Sequence, residues 1–373
     1  MKICLIELMP FPYTVGGGTT HIMNLGNALG NLGHEVHVIS SRPAKEYKIL
    51  EYPDNLKLYN VGMRHKKFTG GINYYAYRLM FELSFVLGAK RVIDKIKPDV
   101  IDCQSSITTA LPAALSKYPF VITCHGIHSL GFGKLYNAKK QSFVSKYVNK
   151  VYEMISKYNV RKAKKLLSQG EGTLKHYCEL AGDKKKGRVV PNMVDTDFWE
   201  PSGKRNDKII VTAARFTKQK SLDKLILAMK LLKGYKLRLI GGGDMDKELR
   251  EMAPKNVEFL GVMDLKGIRR EYLKARYTIL PSEFEGFPYS ILESMASGLI
   301  PIVTKVGDLA GLINDGKNGF FLKDNKPETI ANTLKKIKKD KLKIISRNAR
   351  KTILKKYSSL EVAKNFLKIY KSL

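Results

Sequence analysis

Two acidic and two basic side chains carry most of the chemistry visible in this sequence. Glu285 and Glu293 stand eight positions apart within Glu283 to Gly298, which reads EFEGFPYSILESMASG. Before them, Tyr277 to Leu280 is a short apolar run with β character closed by Pro281; after them, Ile291, Leu292, Met295 and Ala296 recur at helical spacing. The stretch therefore reads as strand, glycine-containing turn and helix. In such a turn the backbone N–H groups of Gly286, Phe287 and Tyr289 can donate to hydroxyl or phosphate oxygens, and Pro288 fits the first helical turn. Slightly more than two helical turns separate the carboxylates, so one sits at the mouth of the turn and the other a layer inside. That pair suits the hydroxyl groups of a sugar. Arg215 and Lys220 lie five apart between a predicted strand, Lys208 to Ala213, and a predicted helix, Leu222 to Leu232. Two cations in a strand-to-helix loop can converge on a diphosphate, Arg as a planar fork and Lys as a mobile point charge.

The elements that must position these residues follow a repeated strand-loop-helix pattern. Residues 2–8 form an apolar run suited to a strand buried on both faces of a parallel sheet. Gly16, Gly17 and Gly18 come next, then a helical pattern through Ile22, Leu25, Ala28 and Leu29 that stops at Gly33, and a strand from Glu35 to Ser40. This is a βαβ unit with anion-binding geometry at its helix start. It lacks G-x-G-x-x-G and an acid placed for a ribose, which argues against a dinucleotide site. Met63 to Lys97 reads as long amphipathic helices and Pro98 to Asp102 as the start of another strand. Phe120 to Cys124 is a buried strand that ends at His125, the position where open α/β sheets bind ligands. In the second half, Leu237 to Ile240 and Val257 to Gly261 are further strands. The tail from Leu360 to Leu373 is helical, apolar at Val362, Phe366, Leu367 and Tyr370.

Bulk properties narrow the class. A chain of 373 residues is long enough for two domains and two cores. No uncharged apolar run is long enough for a membrane span; Tyr74 to Leu87 is interrupted by Arg78 and Glu82. The N-terminus reads as a first strand rather than a signal peptide, so a cytoplasmic protein is expected. Cys4, Cys103, Cys124 and Cys178 are scattered without a C-x-x-C pair, which fits reduced thiols and neither a disulfide framework nor a zinc site. Lys and Arg total 66 against 34 Asp and Glu, a net charge of +32 that implies an anionic partner or a lysine-rich background. Lys134 to Lys165 holds ten basic residues against Glu153 alone, and Lys323 to Leu373 holds sixteen against four, so these segments contribute +9 and +12. The first interleaves its charges with Phe143, Tyr147, Val151, Tyr152, Met154, Ile155 and Tyr158. It reads either as a solvated helix with a core-facing stripe or as an in-plane contact with anionic lipid headgroups, placing the protein at the cytoplasmic face of a membrane. No nucleic-acid recognition motif accompanies it.

Glu285 and Glu293, framed by Pro281-Ser282 and Met295 to Gly298, resemble the E-x7-E signature of retaining glycosyltransferases of the GT-B fold, in particular the family 4 group. The likeness runs through nearly the whole chain. Gly16 and Gly17, counted back from His21, match the glycines that approach the donor phosphate and acceptor. His125-Gly126 resembles the family's histidine at the donor sugar, with a hydrogen-bonding role. Pro191 to Asp195 with Phe198 and Pro201 resembles its crossing between domains, and Arg215 with Lys220 its pyrophosphate clamp. The loop at Val262 and Met263 matches the one that meets the nucleotide base. By the same resemblance Glu285 holds the donor sugar and Glu293 the ribose. The sequence departs from the family at Met193, at Ala214 and Ser221 where glycines are usual, and at Ala310-Gly311 where relatives have Pro-Glu.

The resemblance implies an α/β chain of GT-B fold, two Rossmann-like domains facing each other across a cleft. Residues 1–195 would form the acceptor-binding domain, with helix 358–373 packing back on it, and 196–357 the nucleotide-sugar-binding domain. The expected reaction moves a hexose or N-acetylhexosamine, with retention, from a UDP-, GDP- or ADP-sugar to the hydroxyl of a sugar, lipid-linked or sugar-phosphate acceptor. Arg215, Lys220, Glu285 and His125 would be the catalytic set, without cofactor or metal. Asp195-Thr196-Asp197 and Asp244-Met245-Asp246 spell D-x-D, the metal motif of the other glycosyltransferase fold, but their contexts are a linker and a glycine loop. Two rivals remain: a sugar-nucleotide epimerase of the same fold, and a non-catalytic basic protein that binds anionic membrane or nucleic acid.

Overall fold

The computed structural model describes residues 1–13, 16–65, 72–126 and 143–373. The chain forms two compact units, Met1–Pro191 with Val362–Leu373, and Asn192–Glu361. Each is built on one parallel sheet.

In the first unit the strands β1 (Lys2–Ile6), β2 (Glu35–Arg42), β3 (Leu56–Arg64), β4 (Val100–Cys103), β5 (Phe120–Cys124), β6 (Lys165–Ser168) and β7 (Gly187–Val189) lie in the order β3-β2-β1-β4-β5-β6-β7. All pairings are parallel. The central strands are apolar on both faces because both faces are covered: every residue of β4 and β5 is buried. The helices are α1 (Gly17–Asn31), α2 (Ile72–Ile96), α3 (Leu111–Ala114), α4 (Phe143–Lys162) and α5 (Glu171–Ala181). Phe85, Ala89 and Ile93 of α2, Ala113 of α3 and Val160 of α4 enter one core with Cys4, Ile101 and Ile122, so these three helices cover the same sheet face. Strand β3 occupies a stretch that the sequence pattern leaves unassigned up to Gly62 and takes Met63 and Arg64 from the stretch expected to be helical, in which α2 is the one described helix.

In the second unit β8 (Asn206–Ala213), β9 (Lys236–Ile240), β10 (Val257–Gly261), β11 (Ala275–Leu280), β12 (Ile300–Thr304) and β13 (Phe320–Leu322) lie in the order β10-β9-β8-β11-β12-β13, again all parallel. Helix α6 (Leu222–Met229) buries Leu222, Leu225, Ile226 and Met229, a stripe at i, i+3, i+4 and i+7. It ends three residues earlier than the apolar pattern suggests. Then come α7 (Asp246–Met252), α8 (Leu265–Lys274), α9 (Tyr289–Ala296), α10 (Leu309–Leu312), α11 (Pro327–Lys335) and α12 (Leu342–Lys356); the last helix, α13 (Ser359–Tyr370), belongs to the first unit from Val362 onward.

In both sheets the winding direction reverses beside the first strand, between β1 and β4 and between β8 and β11. Loops leaving the carboxyl ends of those strands diverge there and open a crevice for ligands. They carry Gln104 after β4, Arg215 after β8, and Ser282 and Glu285 after β11. No described helix is long and apolar enough to cross a membrane.

Candidate active site

The loop after β8 lies directly on the backbone after β9. Ala214 N donates to Ile240 O at 3.0 Å and Phe216 N to Gly242 O at 2.9 Å. Gly241 makes this approach possible: its φ is +135°, and a Cβ there would fall 1.9 Å from Ala214 O. Phe216 is fully buried, whereas Arg215 is exposed and has no ion pair among the described residues. The buried phenylalanine anchors the loop and leaves the guanidinium in solvent.

The same loop is stitched to the one after β11. Glu283 N donates to Gln219 O at 2.9 Å, and Gln219 Nε2 to Phe284 O at 2.7 Å. Between these ties, Lys220 Nζ reaches both carboxylate oxygens of Glu285, at 2.6 and 2.8 Å, and Ser282 Oγ donates to Oε1 at 2.6 Å. Both members of the ion pair are removed from solvent, with side chains 16% and 5% exposed. Burial without such a partner would leave the carboxylate uncompensated. Gly307 closes the floor: its φ is +52°, and a Cβ would stand 1.9 Å from Glu285 O. Asp308 N also donates to Gly286 O at 3.2 Å.

Gly286 is exposed at the turn, and Pro288 is the N-cap of α9 rather than its first helical residue. No side chain caps this helix start. Phe287 is held inward, its carbonyl accepting from Asn192 Nδ2 at 2.7 Å and its ring 5.3 Å from that of Tyr357. Glu293 is buried one layer down α9, where desolvation pushes its carboxyl up to about 7. Burial, with Glu293 beside them, raises the phenols of Tyr289 and Tyr272. Val262 is 75% exposed after β10, and Met263 packs partly against the core. The structure thus joins Lys220 to Glu285 and places Glu293 beside Tyr289, while Arg215, Val262 and Gly286 remain at the surface of the same unit.

Gly16, Gly17 and His125 belong to the first unit. Helix α1 begins at Gly17, with Gly16 as an N-cap that offers no side chain. A Cβ at Gly16 would meet nothing within 4 Å, so the described neighbours do not themselves demand glycine there. His125 is engaged at both ring nitrogens: Nε2 lies 2.8 Å from Gln104 Oε1, and Gln169 Nε2 lies 3.2 Å from Nδ1. The tautomer follows from the partners. Gln104 Nε2 donates to Asp102 Oδ1 at 3.2 Å, which turns its carbonyl towards His125, so Nε2 carries the proton and Nδ1 accepts. Asp102 also accepts from Thr123 at 2.7 Å and from Tyr370 of α13 at 2.6 Å. Burial pushes its carboxyl up to about 6 against the pull of both hydroxyls. The ring of His21 stands edge-on, 4.8 Å from that of His125. A sugar hydroxyl seeking a ring nitrogen of His125 would therefore compete with Gln169, the longer of the two bonds.

Sequence reading missed this support. The signal for Asp102 was present, since an acid inside an apolar strand persists only with partners. Glu7, after β1, was missed too: its Oε1 accepts from Leu8 and Met9 N at 2.8 and 3.2 Å, and burial pushes it up to about 7. The D-x-D acids have local roles. Asp195 Oδ1 accepts from Asp197 and Phe198 N at 3.1 and 3.0 Å, and Asp246 pairs with Arg250 at 2.7 Å.

Two parallel sheets of Rossmann-like winding, with a buried carboxylate-lysine pair at the switch point of the second, fit the GT-B fold. The chain belongs to the group 1, family 4 glycosyltransferases: the model for Glycosyl transferases group 1 matches residues 194–352 and that for Glycosyltransferase Family 4 matches residues 15–198. An uncharacterised glycosyltransferase of Methanocaldococcus jannaschii is 28% identical, over 100% of this chain and 98% of the relative. The UDP-Gal:alpha-D-GlcNAc-diphosphoundecaprenol alpha-1,3-galactosyltransferase of Escherichia coli is 26% identical, over 74% of this chain and 76% of its own length. Among solved structures, the sucrose-phosphate synthase of Thermosynechococcus elongatus superposes with a TM-score of 0.79 at 17% identity, covering 100% of this chain and 98% of that one, which speaks for the fold.

Proposed function

We propose that this glycosyltransferase moves a hexose or N-acetylhexosamine from a nucleotide diphosphate sugar to an acceptor hydroxyl, with retention and without a metal. The observation that carries the reading is the buried Lys220–Glu285 pair, stitched between two switch-point loops, one of which also carries the exposed Arg215, without an ion pair among the described residues. As the bond from C1 to the phosphate oxygen breaks, negative charge grows on the β-phosphate. Arg215, the remaining N–H of Lys220 and the backbone N–H groups at the start of α9 oppose it. Glu285 takes the donor sugar and Glu293 the ribose; Val262 and Met263 border the base. The acceptor oxygen attacks on the face the phosphate leaves, and the departing phosphate oxygen receives its proton. His125, Gly16 and Gly17 are assigned to the sugar and acceptor side. The structural duties of the D-x-D acids support metal independence.

The UDP-galactose and lipid-linked acceptor in the Escherichia coli relative's name favour a UDP-sugar and an acceptor of that kind. The basic first unit fits the same choice, with the protein peripheral at a membrane. A thermal-shift panel of UDP-, GDP- and ADP-sugars, with free diphosphates as controls, tests the donor. Ligand bound only to the folded state raises stability by mass action. One base family should stand out, and no shift from any of them would remove the donor assignment. An epimerase would instead convert a nucleotide sugar with no acceptor present.

A further inference from the structure

Helix α2 is apolar on two sides. Phe81, Phe85, Ala89 and Ile93 enter the core, yet Leu79, Met80, Leu83 and Leu87, on the opposite side, remain between 51% and 61% exposed. A helix covering a sheet ordinarily gives its outer face to polar residues. Helix α4 has an unusual outer face of its own. Tyr147, Val151, Met154 and Tyr158 are 40% to 68% exposed at helical spacing. Lys150, Lys157 and Arg161 share that face, with Glu153 the one acid among its exposed side chains.

These two faces lie on the same side of the unit, because α2 and α4 pack on one face of the sheet. A polar joint holds them together. Tyr152 of α4 donates to Glu82 at 3.0 Å and lies under Arg78, whose guanidinium is 5.0 Å from the ring centroid; Arg78 in turn pairs with Glu82 at 2.9 Å. Thr108 adds a bond to the other Glu82 oxygen at 3.0 Å. The joint turns inward and leaves the aliphatic and aromatic side chains outward.

We infer that α2 and α4 together form a docking face for an anionic lipid bilayer, which deepens the membrane reading above. Leucine and methionine side chains of this length reach the headgroup-acyl boundary, tyrosines sit at that depth with their hydroxyls wet, and the lysine and arginine stems reach back to lipid phosphates. Charge selects this occupant. A second copy would set a basic face against a basic face, and a polyanion such as nucleic acid would leave the apolar stripe of α2 in water. The part of the basic segment from Lys134 to Ser142 lies outside the described residues, and the surface stands without it.

The full chain is sedimented with vesicles of phosphatidylcholine alone and with vesicles that also contain phosphatidylglycerol. Retention by the second type only is expected. Lys150→Glu with Lys157→Glu should weaken it about tenfold or more, the scale expected for reversing charges near an anionic surface. Leu83→Ser with Met154→Ser should remove the part of the retention that survives high salt. Thermal melting of each variant checks that it folds, and its stabilisation by nucleotide sugar should match that of the parent chain, which separates failure here from failure of the donor assignment. Equal binding to both vesicle types, or none, overturns the inference. So does retention that ignores the Leu83 and Met154 changes, or a dimer seen by sedimentation velocity that those changes abolish.

Discussion

Arg215 and Lys220 look alike as a spaced pair of cations, but the fold gives them different duties. Arg215 is exposed and unpaired among the described residues, so its removal leaves no buried charge behind. Arg215→Ala should cut kcat/KM by about 100-fold to 1,000-fold, the usual scale for losing one donor to a developing oxyanion. Its melting temperature should stay within ~2 °C of the parent, as for surface changes generally. Lys220 is the counterion of a carboxylate that is 4% exposed. Lys220→Ala strands that charge and should cost about 3–5 kcal/mol in urea unfolding, beyond any loss of activity. Adding Glu285→Gln removes the stranded charge and should restore most of the stability without restoring turnover. Equal destabilisation by the two single variants would refute this division of labour.

At the scale of elements, what was legible depended on whether the signal was local. Strands β5 and β11 announce themselves because burial on both faces leaves an unbroken apolar run. Strand β3 does not: it is an edge strand, half exposed, and Lys57, Asn60 and Arg64 dilute its pattern. The strand-turn-helix around Glu285 and the family motif were readable, with the helix start one residue early at Pro288, but the bond from Lys220 to Glu285 spans 65 positions and that from Tyr370 to Asp102 spans 268. Pairings at such separations leave no periodic trace; the spacing gave the types of group at the site and not who neutralises whom. Gly307 illustrates the same point, since nothing in its local sequence says that its backbone supports Glu285. Gly307→Ala would force the 285–286 backbone away and place an alanine at φ +52°. Such a left-handed position costs about 1–3 kcal/mol before the clash is counted. The variant should melt several degrees lower and lose its stabilisation by nucleotide sugar. Gly311→Ala, with open space within 4 Å of its Cβ, should keep both. A Gly307→Ala protein with a normal donor response would show that the floor of the site is softer than its geometry implies.

For the whole molecule, two buried carboxyls and one half-buried one set the response to pH. Glu7 and Glu293 are pushed up from 4.5 to about 7, and Asp102 from 3.8 to about 6, each chiefly by burial. A raised carboxyl keeps its proton in the folded chain while the unfolded chain has already released it. Between roughly pH 4 and 7 the folded state therefore binds more protons, and stability declines as pH rises through that window. A tenfold difference in proton affinity between the two states is worth ~1.4 kcal/mol, so the decline amounts to a few kcal/mol even if the three groups contribute only in part. Self-repulsion works the other way: the net charge of +32 grows further as exposed carboxylates protonate in acid. The two tendencies place maximal stability at roughly pH 5–6, where exposed carboxylates are ionised and the buried ones still hold their protons. Salt separates them, because it screens the repulsion between exposed charges far more than it acts on groups drawn out of solvent. Urea midpoints followed from acid to alkaline pH should fall on the alkaline side with the same slope at low and high salt, while the acid side improves with salt. Glu293→Gln keeps the shape of the side chain and removes one titrating group, so it should flatten the alkaline decline and leave the acid limb as it was. A midpoint that stays level or rises from pH 6 to 8 would mean that these carboxyls are hydrated in solution.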